Sequence, residues 1–112
     1  MSKYRAIPTT IDNIRFASKA ESRRYQELKL LIRAEQITDL VLQPAFVLHV
    51  VNHLTGEVFV IGRYIADFSY VCDGHKVVED VKGMMTPVYR LKKKFVEAEY
   101  GIRITEIRKV SP

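Results

Sequence analysis

The stretch Tyr64–Gly83, YIADFSYVCDGHKVVEDVKG, organises the rest of the chain. Two runs rich in Val, Ile, Tyr and Phe flank Asp73-Gly74, and an Asp-Gly pair between such runs is the strongest short-range signal for a β-hairpin. Whether the loop is Asp73-Gly74 alone or Cys72–His75, Val71 pairs with Lys76, so the numbers of opposed residues sum to 147. Asp67 then lies across from Asp80, and Ile65 across from Lys82. Directly opposed residues share a face, with Cβ atoms roughly 4.5–5.5 Å apart. One face therefore carries Asp67, Asp80 and Lys82. The other carries Ala66, Phe68, Tyr70, Val77 and Val81, an ordinary core face in which Glu79 is the misfit. Two opposed carboxylates repel and call for a shared proton, a neighbouring cation or a bound metal. Lys82 is one cation at hand. A divalent ion is a better one, because hard cations take carboxylate oxygens.

The bulk composition bounds the class. The 112 residues suit a single domain, residues 1–112, and 47% hydrophobic content is enough to give it a core. No run approaches the ~18 uninterrupted apolar residues of a membrane span, and the N-terminus has no apolar signal core. One cysteine, Cys72, excludes an internal disulfide and fits a reducing compartment, so a cytoplasmic location is expected. A net charge of +5 favours a polyanionic partner, most often nucleic acid.

Residues 1–15 read as a basic arm, with Lys3 and Arg5, or as a small hairpin turning at Asp12-Asn13 between Ile7–Ile11 and Ile14–Phe16. A helix follows over Lys19–Gln36. Ser18 is its N-cap, and Glu21 three residues later completes a capping box. Glu21 also begins the stripe Glu21, Tyr25, Leu28, Ile32, the spacing of a core-facing side, so cap and site residue are both open roles for it. Ile37–Leu42 leads into a strand at Phe46–Val51, which Thr55-Gly56 turns back into Glu57–Ile61. Gly62 marks a bulge before the strand that carries Asp67. Thr86-Pro87 starts a second helix with apolar stripe Val88, Leu91, Phe95, Ala98, and Gly101 stops it. Ile102–Ile107 is a last strand, parallel to the Asp80 strand because a helical crossover joins them.

The second helix carries Arg90, Lys92, Lys93 and Lys94. Arg90, Lys93 and Lys94 fall on one face, close in sequence to Lys82, where they could contact phosphates; Lys19, Arg23, Arg24, Lys3 and Arg5 are further candidates. Such contacts position a nucleic-acid backbone without reading its sequence. Zinc is poorly served: His49 and His53 lie in an extended run, and His75 has only Cys72 nearby. Cys72 has no evident base to activate it. No phosphate-cradling glycine loop is present.

An acid on a first helix (SKAE, Ser18–Glu21), an Asp on one strand (IADF, Ile65–Phe68) and Asp-x-Lys on the next (EDVKG, Glu79–Gly83) together resemble the PD-(D/E)xK nuclease superfamily. The pattern from FASKAESRRYQELKLL to DVKGMMTPVYRLKKKF is also similar to small bacteriophage proteins catalogued as a domain of unknown function, and to archaeal-type Holliday junction resolvases. The likeness covers roughly Phe16 to Ile107. It implies an α/β fold with a restriction-endonuclease-like α-β-β-β-α-β core, a mixed four-stranded sheet flanked by helices. It also implies a Mg²⁺-dependent endodeoxyribonuclease, with Mn²⁺ able to substitute, acting on branched or four-way DNA as a homodimer in phage recombination or replication. Carried over by motif, Asp67 and Asp80 hold the metal with the Val81 carbonyl, Glu21 binds it directly or through water, and Lys82 serves the attacking water or the phosphate. Ala66 stands where the superfamily's name-giving proline would be. Glu79 competes with Asp80 for the ligand position; strand parity selects Asp80, and a bulge near Val78 would select Glu79. A nickase, a flap or single-strand nuclease, and a basic DNA-binding module without catalysis are the alternatives.

Overall fold

A computed structural model describes residues 7–108; Lys3 and Arg5 lie outside the described residues. The chain opens with a small hairpin, β1 (Thr9–Ile11) and β2 (Ile14–Phe16). Asp12 and Asn13 both take left-handed φ values, 52° and 63°, the type I′ geometry that suits the twist of a hairpin. Asp12 accepts hydrogen bonds from Tyr25 and Lys29, which ties this hairpin to helix α1 (Lys19–Arg33). The Ser18 hydroxyl caps α1 by accepting the Glu21 N–H at 3.1 Å. The helix ends three residues before the expected Gln36.

Strand β3 (Thr38–Leu42) is followed by β4 (Ala45–Val51), β5 (Val58–Ile65), β6 (Phe68–Cys72) and β7 (His75–Lys82). Helix α2 (Pro87–Tyr100) and β8 (Ile104–Arg108) complete the fold. The β6–β7 hairpin has the register read from the sequence, from Cys72↔His75 to Phe68↔Glu79. Its turn is Asp73-Gly74, with φ values of 51° and 77°. The β7–β8 pairing is parallel, and Asp80 lies beside Glu106. The result is a mixed four-stranded sheet in the order β3-β6-β7-β8.

Three expectations need correction. The hairpin expected over Phe46–Ile61 is not part of the main sheet: β4 and β5 form their own two-stranded sheet, and Thr38–Leu42, expected only as a lead-in, supplies the sheet's edge strand. β3 running into β4 pairs with β5 running into β6 as one long ribbon, bridged at its bend by Gln43 N–H to Asp67 carbonyl (2.9 Å) and Ala66 N–H to Pro44 carbonyl (3.0 Å). The bend breaks the alternation of faces, so Ala66 joins the core beneath α2 (Phe46, Leu48, Tyr64, Val78, Tyr89, Val96, Ile104) rather than the Phe68–Tyr70 side. It also ends the β6–β7 ladder one pair early. The Asp67 N–H donates to the Glu79 carbonyl at 3.1 Å, so Asp67 and Asp80 lie just past the last true pair.

The third correction concerns α2. Its buried residues are Tyr89 and Val96, while Val88 and Leu91 of the expected stripe are 63% and 57% exposed. The helix is rolled so that Tyr89 meets the end of β7, and only Phe95 of that stripe touches the core. The Gly62 bulge is present: Leu48 pairs with Gly62 but His49 with Val60. On the sheet's other side, α1 packs Tyr25 and Leu28 against Phe68 and Tyr70. No helix among the described residues is long and apolar enough to cross a membrane.

The left-handed turn at Gly74 sets the register of β7. Gly74→Val places a β-branched residue in a conformation it disfavours, by about 1–3 kcal/mol. A lower urea midpoint with an unchanged m-value is expected; an unchanged midpoint would show that the turn does not constrain the hairpin.

Candidate metal centre

β7 carries two neighbouring acids, Glu79 and Asp80, which are 0% and 1% exposed. Neither β7 pairing contains a bulge, so the two point to opposite faces. Glu79 faces α1 and is fully engaged. Arg24 grips it as a fork, Nε to Oε1 at 2.9 Å and a terminal nitrogen to Oε2 at 2.7 Å, and the Tyr70 hydroxyl donates to Oε2. A bidentate guanidinium is the strongest neutralisation a side chain offers a carboxylate. Arg24 therefore departs from its expected role as a phosphate contact.

Asp80 faces α2 and is under-satisfied. Its Oδ2 is buried without a hydrogen-bond partner, and the Lys82 ammonium stands 3.8 Å away, close enough for an ion pair but not a hydrogen bond. Burial pushes the carboxyl up to about 6, against the pull of Lys82 and the Asp67 N–H, and the Glu106 charge adds to the rise. Lys82 is held in turn by Tyr89: its Nζ lies 4.1 Å from the ring centroid, a cation–π contact. The Tyr89 hydroxyl donates to Glu106 at 2.7 Å, and Glu106 also draws Lys93 to 3.4 Å.

Asp67 sits at the ribbon's bend. Its Oδ2 accepts the Val81 N–H at 2.7 Å, so its side chain does the ladder's work just where the ladder stops. Burial raises its pKa, while the Val81 N–H and Lys82 lower it. Glu21 approaches from the first turn of α1. Burial pushes its carboxyl up to about 7, the Asp67 charge adds to that, and Asp80 contributes too, while the Ala17 N–H and Lys82 oppose. Glu21 thus senses all three of the other expected site residues. Of the expected capping box, the Ser18 half is present, its hydroxyl accepting the Glu21 N–H.

The four residues Glu21, Asp67, Asp80 and Lys82 share one electrostatic environment at the end of β7. Among the described residues, no three His, Cys, Asp or Glu side chains are already drawn into a cage around one point. The donor chemistry still fits a hard divalent cation: all the acids offer oxygen, one buried carboxylate oxygen lacks a partner, and burial holds the Glu21, Asp67 and Asp80 carboxyls above their ordinary range. Asp67 and Asp80 are the residues best suited to hold it.

The basic residues divide. Arg90, Lys92 and Lys94 on α2, and Lys19 and Arg23 on α1, are exposed. Lys93 is half-buried and engaged by Glu106, which removes it from the expected phosphate-facing set. Tyr89 and Glu106 were not singled out from the sequence. The parallel β7–β8 register could have placed Glu106 beside Asp80, but the misassigned α2 stripe hid Tyr89.

A family model described as "Protein of unknown function (DUF1064)" matches residues 1–111. No curated protein and no solved structure matches the chain.

A carboxyl whose folded-state pKa exceeds its unfolded value contributes stability below about pH 4 that is lost as the pH rises through about 6. Without divalent metal, stability should fall across that window, by roughly 2–3 kcal/mol from Asp80, and Glu21 should extend the fall towards neutrality. Asp80→Asn should flatten the slope and raise stability at pH 7. Denaturant titrations in chelator across this range measure it; parallel profiles for the two proteins would contradict the assignment.

Proposed function

We propose that this chain, which belongs to the DUF1064 family, is a divalent-metal-dependent endodeoxyribonuclease. The observation that carries the reading is the buried, unpartnered oxygen of Asp80 beside Lys82, with Asp67 and Glu21 in the same electrostatic neighbourhood. The likeness of SKAE, IADF and EDVKG to the PD-(D/E)xK pattern supports it, on the restriction-endonuclease-like version of the α/β fold.

Asp67 and Asp80 would hold Mg²⁺, or Mn²⁺ in its place, with the Val81 carbonyl and with Glu21 directly or through water. The ion would supply an activated water and neutralise phosphate charge. Lys82 lies between a carboxylate and an aromatic face, so its role is electrostatic: it steadies negative charge on the phosphate or orients the attacking water. Tyr89 and Glu106 keep Lys82 in place. Arg90, Lys92, Lys94, Lys19 and Arg23 are free to contact phosphates.

The substrate is branched or four-way DNA, with the protein acting as a homodimer in phage recombination or replication in the host cytoplasm. The likeness to archaeal-type junction resolvases supports this choice. Two cuts across a junction need two sites related by a two-fold axis. A nickase or a flap or single-strand nuclease is the same chemistry on another substrate. The second reading is a basic DNA-binding module without chemistry, favoured by the lack of a preformed three-ligand cage among the described residues.

End-labelled linear, flap and four-way DNA, incubated with and without Mg²⁺, separates these readings. Mg²⁺-dependent cutting of the four-way substrate is expected, reduced on the order of 100-fold or more by Asp80→Asn at equal DNA occupancy. Binding without any cutting would support the module; equal cutting of linear and four-way DNA would remove junction selectivity and leave the nuclease. Arg90→Ala and Lys94→Ala should each reduce the slope of log affinity against log salt by about 1, and Lys93→Ala by less. Unchanged slopes would move the DNA off this face of α2.

A further inference from the structure

The β4–β5 ribbon leaves the main sheet with one face covered and the other bare. α2 packs against both strands, whereas α1 packs against β1, β2, β6 and β7. By register, Phe46 with Tyr64 and Leu48 with Gly62 face α2, while Ala45 with Ile65, Val47 with Arg63, His49 with Val60 and Val51 with Val58 share the opposite face. On that bare face Val58, Val60 and Ile65 are 59%, 65% and 51% exposed, and Val47 and Val51 are 41% and 48% exposed. Phe59 and Ile61 are also exposed, so the whole run Val58–Ile61 stands in solvent.

The two edges of the ribbon differ. The outer edge of β4 is blocked by the end of α2: the His49 N–H donates to Glu99 at 2.6 Å, and the Tyr100 hydroxyl donates to the Val47 carbonyl at 2.6 Å. The outer edge of β5 receives no such cover among the described residues. A long apolar edge with an unpaired backbone is a template for another strand, and natural proteins guard such edges unless they are used. Among the described residues the guards are the bulge between Gly62 and Val60 and the charge of Arg63, both at one end, which leaves Val58–Val60 open.

We propose that a second copy of this chain covers this surface, β5 pairing antiparallel with its counterpart about a two-fold axis so that the bare ribbon faces merge. Several features select that occupant. The face carries Arg63 as its one strong cation, and His49 is held by Glu99, so it is not a polyanion's surface. An antiparallel edge is self-complementary, as an isologous interface must be. The five aliphatic side chains of the bare face, each about half-exposed, leave roughly 300 Å² of apolar surface, at about 120 Å² for a whole side chain. The unpaired β5 backbone and the polar rim add to what a partner copy would bury, towards the roughly 800 Å² each partner gives to a stable interface. This deepens the dimeric part of the proposed function but is tested without DNA, metal or cutting, so either can fail alone.

Sedimentation velocity of the full chain over a concentration series decides it. The wild type should run as a dimer, Val60→Lys as a folded monomer, and Leu91→Lys, on the exposed side of α2, as a dimer. Should Val60→Lys fail to fold, the near-isosteric Val60→Thr gives the answer through a dimer dissociation constant raised at least tenfold. A wild-type monomer at every concentration overturns the proposal and leaves the ribbon to an unrelated partner. A dimer unaffected by both Val60 variants overturns it as well, by placing the interface elsewhere.

Discussion

Two adjacent carboxylates on β7 are shut away from water, and only one of them has its oxygens fully hydrogen-bonded. Burying an ionised carboxylate without full hydrogen bonding costs several kcal/mol, and proteins meet that cost with a partner, a proton or a metal. Glu79 has its partners in Arg24 and Tyr70, and they join α1 to the sheet. Asp80, one residue on and on the opposite face, has a lysine at ion-pair distance and an oxygen with nothing to accept. The first acid locks the fold. The second gives up stability, a concession that the proposed metal site would account for.

The surroundings of Asp80 follow from topology. The ribbon bend at Gln43–Pro44 and Ala66–Asp67 stops the β6–β7 ladder and leaves the Asp67 side chain to bond the Val81 N–H in place of a backbone group. The crossover through α2 returns β8 parallel to β7, which sets Glu106 beside Asp80 and lets it hold the Tyr89 ring under Lys82. Glu21 reaches the same place because Ser18 starts α1 at that end of the sheet.

Much of this was legible in the residues because it depends on local chemistry. Asp73-Gly74 fixes a type I′ turn, and that turn fixes which β7 residues share a face. Ser18, Thr86-Pro87 and Gly101 mark helix ends through capping geometry, and Gly62 marks its bulge. What could not be read depends on contacts distant in sequence. Nothing local shows that the ribbon bends, so Ala66 was assigned to the wrong face. α2 has two apolar stripes, one through Val88 and Leu91 and one through Tyr89 and Val96, and periodicity alone cannot say which is buried. Glu79 looked like a misfit because its partner Arg24 lies 55 residues away. Parity put Glu79 and Asp80 on opposite faces; it could not show that Arg24 engages Glu79.

The most direct test of the central claim is anomalous diffraction from crystals of the protein grown with Mn²⁺. The account predicts a manganese peak bridged by the carboxylates of Asp67 and Asp80, with the Asp80 oxygen that lacks a partner among its ligands and Glu79 still in the grip of Arg24. A map with no peak there, and with the two aspartates turned apart, would contradict it.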